Sequence, residues 1–321
     1  MPTMADKKIL VSGVKPTGRP HIGNYFGAMK QFVDLQDSYE SRIFVANLHA
    51  LTTLQDKGEM ERNSKEVILD FLGIGIDPER TTLYYQSDVP HVTELAWIFS
   101  CLTTMPELMR AHAFKDAEAK NKDLNVGTFN YPLLMAADIL APDADVVPVG
   151  KDQIQHVEIT REVARDFNNI FGETFKEPQE LVIKTVETVP GTDGQKMSKS
   201  YNNYIGLFDE DSEIKKKVMS IVTDSGSDTP ENVYAIHNLI KSAEELKDLY
   251  AERKGKYKDL KDALAKDLIA FITPFRERRA EWEAKPDEVD QIISEGGKKM
   301  REIVHEKMMD VRNKVGLIHH E

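Results

Sequence analysis

The chain has 321 residues, 42 Lys+Arg against 54 Asp+Glu for a formal net charge of −12, and 40% hydrophobic residues, the make-up of a globular protein long enough for an α/β catalytic domain plus an appendage. No run approaches the roughly 18 apolar residues of a membrane span, and the polar start Met1–Lys8 lacks the apolar core of a signal peptide, so no membrane association and a cytoplasmic location are expected. The single cysteine, Cys101, excludes an intrachain disulfide and cysteine-held zinc or iron–sulfur centres and reads as a small buried hydrophobe.

In chain order, Ile9–Val11 is a short apolar run that stops at Gly13, and Gly23–Asp37 has helical periodicity. Arg42–Ala46 reads as a strand, Met60–Leu72 as a helix and Thr81–Tyr85 as a third strand. This alternation predicts a parallel sheet wrapped by helices. Glu94–Asn125 interrupts it with helices, the part from Ala111 to Asp123 being dense in charge. Asp145–Val149 is a later strand closed by Gly150, Gln153–Phe167 a helix, and Thr185–Asn203 a Gly/Ser/Asn-rich loop. Beyond Asp209 the pattern is helical, with Pro230, Pro274 and Pro286 at helix boundaries or kinks. The acidic excess lies before Ser225; from there to Glu321 the chain carries 18 basic and 20 acidic residues, so net charge neither supports nor excludes a nucleic-acid partner.

Three segments carry chemistry. Ser12 to Asn24 (Ser-Gly-Val-Lys-Pro-Thr-Gly-Arg-Pro-His-Ile-Gly-Asn) follows the first strand and enters the first helix. Glycines there allow close backbone approach, and a helix N-terminus attracts phosphate. A nucleotide site and a Gly/Pro-rich structural loop both fit. Lys196-Met197-Ser198-Lys199-Ser200 puts two ammonium groups three residues apart on a loop, suited to charge growing on a leaving polyphosphate or simply to solvent. Helical spacing from Tyr131 to Leu140 puts Tyr131, Met135 and Asp138 on one face. A carboxylate on an apolar face needs a donor, from a ligand or from the protein itself. His49 fits a ligand contact or a structural role, His156 reads as structural, and the histidine spacing predicts no metal site.

The first segment resembles the His-Ile-Gly-His-type motif of class I aminoacyl-tRNA synthetases, and the second is letter for letter their Lys-Met-Ser-Lys-Ser motif. Tyr131–Leu140 together with Val146–Arg161 closely resembles the tryptophanyl-tRNA synthetases; the sister tyrosine family shares fewer matches. Gly75–Pro78, Gln86–Pro90, Phe114–Asp116 and Val222–Ser225 extend the resemblance over nearly the whole chain, until it thins after Asn232.

The resemblance implies a Rossmann-like parallel-sheet nucleotide-binding domain over 1–206, with a helical insertion at about 94–125, and an all-helical anticodon-binding region over 207–321. It implies activation of L-tryptophan by ATP with Mg²⁺ on the phosphates, transfer to tRNA(Trp), and a homodimer. Lys196, Lys199 and His21 would be catalytic. Lys15, Pro16, Thr17, Gly23, Asn24, Gly150, Lys151, Asp152, Val189 and Lys196–Ser200, with Met197 and Ser198 among them, would contact ATP. Asp138 would accept the indole N–H, and Tyr131, Met135, Val147, Val149 and Gln153 would line the tryptophan pocket. Lys215–Lys217, Arg276, Arg278 and Arg279 are candidate tRNA contacts. The chain departs from the family at Lys15, Val11, Asn47–Ala50 and the short loop Val189–Gly194, which marks a divergent subgroup. A tyrosine-specific enzyme, a small-molecule nucleotidyltransferase of the same superfamily and a non-catalytic relative are the competing readings.

Overall fold

The computed structural model describes residues 7–110, 125–150, 154–182, 188–223 and 228–317. Strands β1 (Ile9–Val14), β2 (Glu40–Val45), β3 (Thr81–Tyr85), β4 (Val146–Val149) and β5 (Gln179–Val182) form one parallel sheet in the order β3-β2-β1-β4-β5. The order reverses between β1 and β4, and in such a sheet ligands enter at the carboxyl ends of the strands on either side of that point.

Both faces of the sheet are covered, so every residue of β2 after Glu40 is buried, the polar Ser41 and Arg42 as well as Ile43, Phe44 and Val45. On one face lie α1, which continues from Ile22–Asn24 through a π-helical turn (Tyr25–Met29) to Lys30–Leu35, and α3 (Lys57–Ile74). The short α2 (Asn47–Ala50) follows β2 directly. On the other face pack α4 (His91–Leu102), α5 (Met105–Met109), α6 (Val126–Leu140) and α7 (Ile154–Phe171).

The sequence reading finds four of the five strands. It misses β5, whose residues Gln179 and Glu180 are polar and which lies at a half-exposed edge. Cys101 is exposed rather than buried. It sits one helical turn beyond Trp97, itself 70% exposed, so both leave α4 on its outward face.

After Gly206 come α8 (Asp211–Met219), α9 (Glu231–Ile240), α10 (Ala243–Glu252), α11 (Tyr257–Glu283) and α12 (Pro286–Val315). Pro230 caps α9, Pro274 lies inside α11 and Pro286 opens α12. The long α12 returns to the sheet and covers the edge strand β3. Gly296 makes this approach possible: a Cβ there would overlap the Leu83 carbonyl oxygen. Among the described residues no helix is long and apolar enough to cross a membrane.

Candidate active site

The turn after β1 is organised by the spacing His21-x-x-Asn24. His21 Nδ1 accepts from the Asn24 N–H at 3.2 Å, and Asn24 Oδ1 accepts from the His21 N–H at 3.1 Å, a reciprocal cap on the start of α1. Gly23 between them is required by packing, since a Cβ would lie 2.9 Å from His21 Nδ1. Burial, and secondarily the Lys199 charge, lowers the His21 pKa to about 4. The ring is therefore neutral near pH 7, and with Nδ1 accepting, Nε2 carries the proton.

The distant lysine loop is tied to this turn. Ile22 N–H donates to Ile205 O at 3.0 Å and Leu207 N–H to Pro20 O at 2.9 Å. Lys199 Nζ reaches the carbonyl oxygens of Thr17 and Gly18 at 3.0 and 2.9 Å. Asn203, 2% exposed, organises the loop from within: its Oδ1 accepts from Ser198 N–H at 2.7 Å, while its Nδ2 donates to Asp193 Oδ1 and Lys196 O. An asparagine just outside a motif gives no sequence signal of this role.

Two cavities meet here. The inner one, about 500 Å³, lies at the β1/β4 reversal and is lined by Gly13, Lys15, Tyr131, Met135, Asp138, Val147, Val149 and Gly150 among others. The outer one, about 430 Å³, is lined by Thr17, His21, Asn24, Asp70, Lys199 and Ser200. Val14, Lys15 and Ala28 belong to both walls. Lys15 lies 5.8 Å from the Tyr131 ring centroid, and burial lowers its pKa. Tyr131 O–H is paired with His156 Nε2 at 2.7 Å.

At the bottom of the inner cavity Asp138 is 3% exposed. Burial pushes its carboxyl pKa up; hydrogen bonds from His49 and Gln86 work against that rise. His49 Nε2 lies 2.8 Å from Asp138 Oδ2, and Gln86 Nε2 donates to Oδ1 at 2.9 Å and to Oδ2 at 2.8 Å. His49 is thus a partner of Asp138, and it also lines the inner cavity.

The structure brings together most of the sequence-derived site residues. Tyr131, Met135, Asp138, Val147 and Val149 share the inner cavity, and Thr17, His21, Asn24 and Lys199 the outer one. Gly150 faces the inner cavity. Val189 and Met197 are buried in the core, with Met197 N–H donating to Val189 O at 2.9 Å. Pro16, Gly23, Lys196 and Ser198 are not among the lining residues, and the Lys196 side chain is exposed. Lys151, Asp152 and Gln153, as well as Ala111–Asp123, lie outside the described residues. The sequence reading passes over Asp70 and leaves Gln86 as part of a resemblance only.

The model of the class I tRNA synthetases for W and Y matches residues 4–273. The chain belongs to this family. Within it, the synthetase chain is 46% identical over 317 residues to a tryptophan–tRNA ligase of Fusobacterium nucleatum, covering 96% of this chain and 98% of that protein. A Rhodopirellula baltica tryptophan–tRNA ligase is 43% identical over 96% of this chain and 99% of its own. The crystal structure of the Campylobacter jejuni tryptophanyl-tRNA synthetase complexed with ADP and tryptophan superposes with a TM-score of 0.88 at 43% identity, covering 97% of this synthetase and 100% of that chain.

Proposed function

We infer that this synthetase is a tryptophan–tRNA ligase, which activates L-tryptophan with ATP to tryptophanyl-adenylate and pyrophosphate and then esterifies tRNA(Trp). One observation carries the reading: an amino-acid-sized cavity ending on a buried carboxylate shares the wall Val14–Lys15–Ala28 with a second cavity lined by His21, Asn24 and Lys199. Tryptophan in the first and ATP in the second would meet at that wall. Full-length similarity to tryptophan–tRNA ligases supports the choice of amino acid.

The tryptophan carboxylate is already a nucleophile, so no side chain has to be activated. Its oxygen forms a bond to the α-phosphorus in line while the bond to the pyrophosphate oxygen breaks. Catalysis then rests on alignment and on stabilising charge that grows on the departing pyrophosphate. The Nε2–H of neutral His21 and the side-chain amide of Asn24 supply donors, and Lys199 and Lys196 supply positive charge. Pro16, Thr17, Gly23 and the 196–200 loop frame the nucleotide, and Mg²⁺ enters on the ATP phosphates, whose hard oxygens suit it. Residues 1–206 are assigned to this chemistry and 207–321 to tRNA, in the cytoplasm.

Among the tRNA candidates, Lys215 and Lys216 are exposed on α8 and remain proposed contacts. Lys217 pairs with Asp209, Arg276 with Asp209 O and Asp211, Arg278 with Gly73 O, and Arg279 with Asp70 and Glu66. These four serve the fold. A homodimer is proposed through the groove beside the site, about 610 Å³ and lined by Leu51, Trp97 and Val126, which are 50%, 70% and 76% exposed. Tryptophan is among the residues enriched at the energetic centres of interfaces, which makes Trp97 the anchor. Sedimentation is expected to show a dimer that Trp97→Glu dissociates; a monomeric wild type would sink the proposal.

Amino-acid-dependent ATP–pyrophosphate exchange tests the main reading. Exchange with tryptophan but not tyrosine is expected. Exchange with tyrosine alone overturns the pocket assignment, and exchange with neither overturns the activity.

A further inference from the structure

Gln86 sits on the 3-10 turn Gln86–Asp88 after β3, is 1% exposed and does not line the inner cavity. Its orientation is nevertheless dictated. Its Oε1 accepts from the backbone N–H groups of Leu48 and His49 at 3.1 and 3.3 Å. Those groups can only donate, so the amide oxygen must face them and Nε2 must face Asp138. There it bridges both carboxylate oxygens, at 2.9 and 2.8 Å. His49 adds a third contact at 2.8 Å to Oδ2.

A carboxylate offers about four lone-pair directions. Oδ2 receives two contacts and Oδ1 one, so one direction remains, on Oδ1. Hydrogen bonds donated to a carboxylate favour its charged form, so the Gln86 amide also favours the ionised, acceptor-only state against the effect of burial. One side chain thereby joins the end of β3, the start of α2 and the floor of the cavity on α6.

We propose that Gln86 is a specificity-determining positioning residue: with His49 it clamps Asp138 so that a single carboxylate acceptor, on Oδ1, is left for the ring N–H of the amino-acid substrate. This rests on the reading that the inner cavity takes tryptophan. Gln86 itself touches no substrate. Its effect is to remove the freedom of the acceptor, and a loosely held group loses on the order of 100-fold when misplaced by about 1 Å.

The test compares wild type with Gln86→Met and Gln86→Glu in ATP–pyrophosphate exchange. Each is supplied with tryptophan and with β-(benzothien-3-yl)alanine, in which sulfur replaces the ring N–H. Gln86→Met removes the donor; Gln86→Glu is isosteric, keeps the acceptor for Leu48 and His49 and sets a second carboxylate against Asp138, so it serves if the first variant does not fold. Both are expected to raise the tryptophan KM by about tenfold or more while the analogue's KM and the ATP KM move by less than about twofold, so that discrimination falls by about the same factor. In the Asp138→Asn background, Gln86→Met is expected to change discrimination little further. An equal loss for both amino acids in a folded variant, or undiminished discrimination in either variant, overturns the clamp and leaves the tryptophan reading intact. Wild-type enzyme that exchanges with neither overturns the tryptophan reading, and the clamp with it.

Discussion

The Lys199 ammonium donates to the Thr17 carbonyl oxygen at 3.0 Å, joining two motifs that lie 182 residues apart in sequence. A second bond to Gly18 O at 2.9 Å completes the contact. In this arrangement the lysine holds the loop over the outer cavity while resting on backbone oxygens. To stabilise a leaving pyrophosphate it must exchange those carbonyls for phosphate oxygens, a gain realised only as charge develops. Lys199→Ala is therefore expected to lower the single-turnover activation rate by about 10²–10³-fold, with tryptophan affinity changed by less than about twofold. Rapid-quench measurement of adenylate formation checks this, and an unchanged rate removes Lys199 from the step.

His21 makes a pH prediction of definite sign. Its pKa falls from 6.5 in the unfolded chain to about 4 in the folded protein, so between these values the unfolded state binds the extra proton. Stability contributed by the neutral ring is present above pH 6.5 and is lost as pH falls toward 4. His21→Asn keeps a residue type able to cap α1 and removes the titration. Urea midpoints measured between pH 7 and 4 are expected to fall less steeply in the variant, and parallel slopes would refute the assignment.

These two residues also mark where sequence pattern is informative. His21, Gly23 and Asn24 are legible as a phosphate-facing turn at the start of a helix, and the structure adds what the pattern does not say, the reciprocal bonds between His21 and Asn24 and the ring against which a Cβ at 23 would press. β1 and β3 are legible because buried parallel strands are apolar and Gly13 or a turn ends them. Nothing local distinguishes Gln86 from any polar residue at a strand end, since its partners come from α2 and α6, 37 to 52 positions away. Asp138 illustrates the limit from the other side. Periodicity places it on an apolar face, but only the fold supplies His49 and Gln86. The arginines of α11 read as a basic face; tertiary contacts turn Arg279 inward, 5% exposed.

The approach of α12 to β3 predicts an unequal response of two adjacent glycines. A Cβ on Gly296 meets the Leu83 backbone carbonyl, which cannot move without disturbing the strand. A Cβ on Gly297 meets the Asp88 side chain, with Oδ2 at 2.7 Å, which can shift at the loss of its 3.3 Å bond from Tyr85 N–H while the strand backbone stays in place. Higher helix propensity favours alanine at both by up to about 1 kcal/mol. Gly296→Ala is expected to destabilise by about 1–3 kcal/mol through overpacking, and Gly297→Ala by less. Equal unfolding midpoints for the two variants would contradict this packing.

Arg279 and Asp70 give the last prediction. Arg279 Nε donates to Asp70 Oδ1 at 2.8 Å, and the same guanidinium meets Glu66 and Glu283. Asp70 is fully buried, and its Oδ2 has no partner among the described residues. Burial raises its pKa to about 6 even with Arg279 opposing the rise. Arg279→Leu strands this carboxylate, which is expected to cost about 3–5 kcal/mol. The loss is relieved by protonation: without the guanidinium the folded pKa rises further, so the variant regains stability as pH falls through that raised value. Chemical denaturation at pH 8 and pH 5 is expected to show the larger deficit at pH 8. Adding Asp70→Asn to Arg279→Leu is expected to recover part of the pH 8 deficit, because the double variant no longer buries a charge. A deficit of equal size at both pH values would mean that Arg279 acts through packing alone, and the ion pair would lose its place as the link between α11 and the wall of the outer cavity.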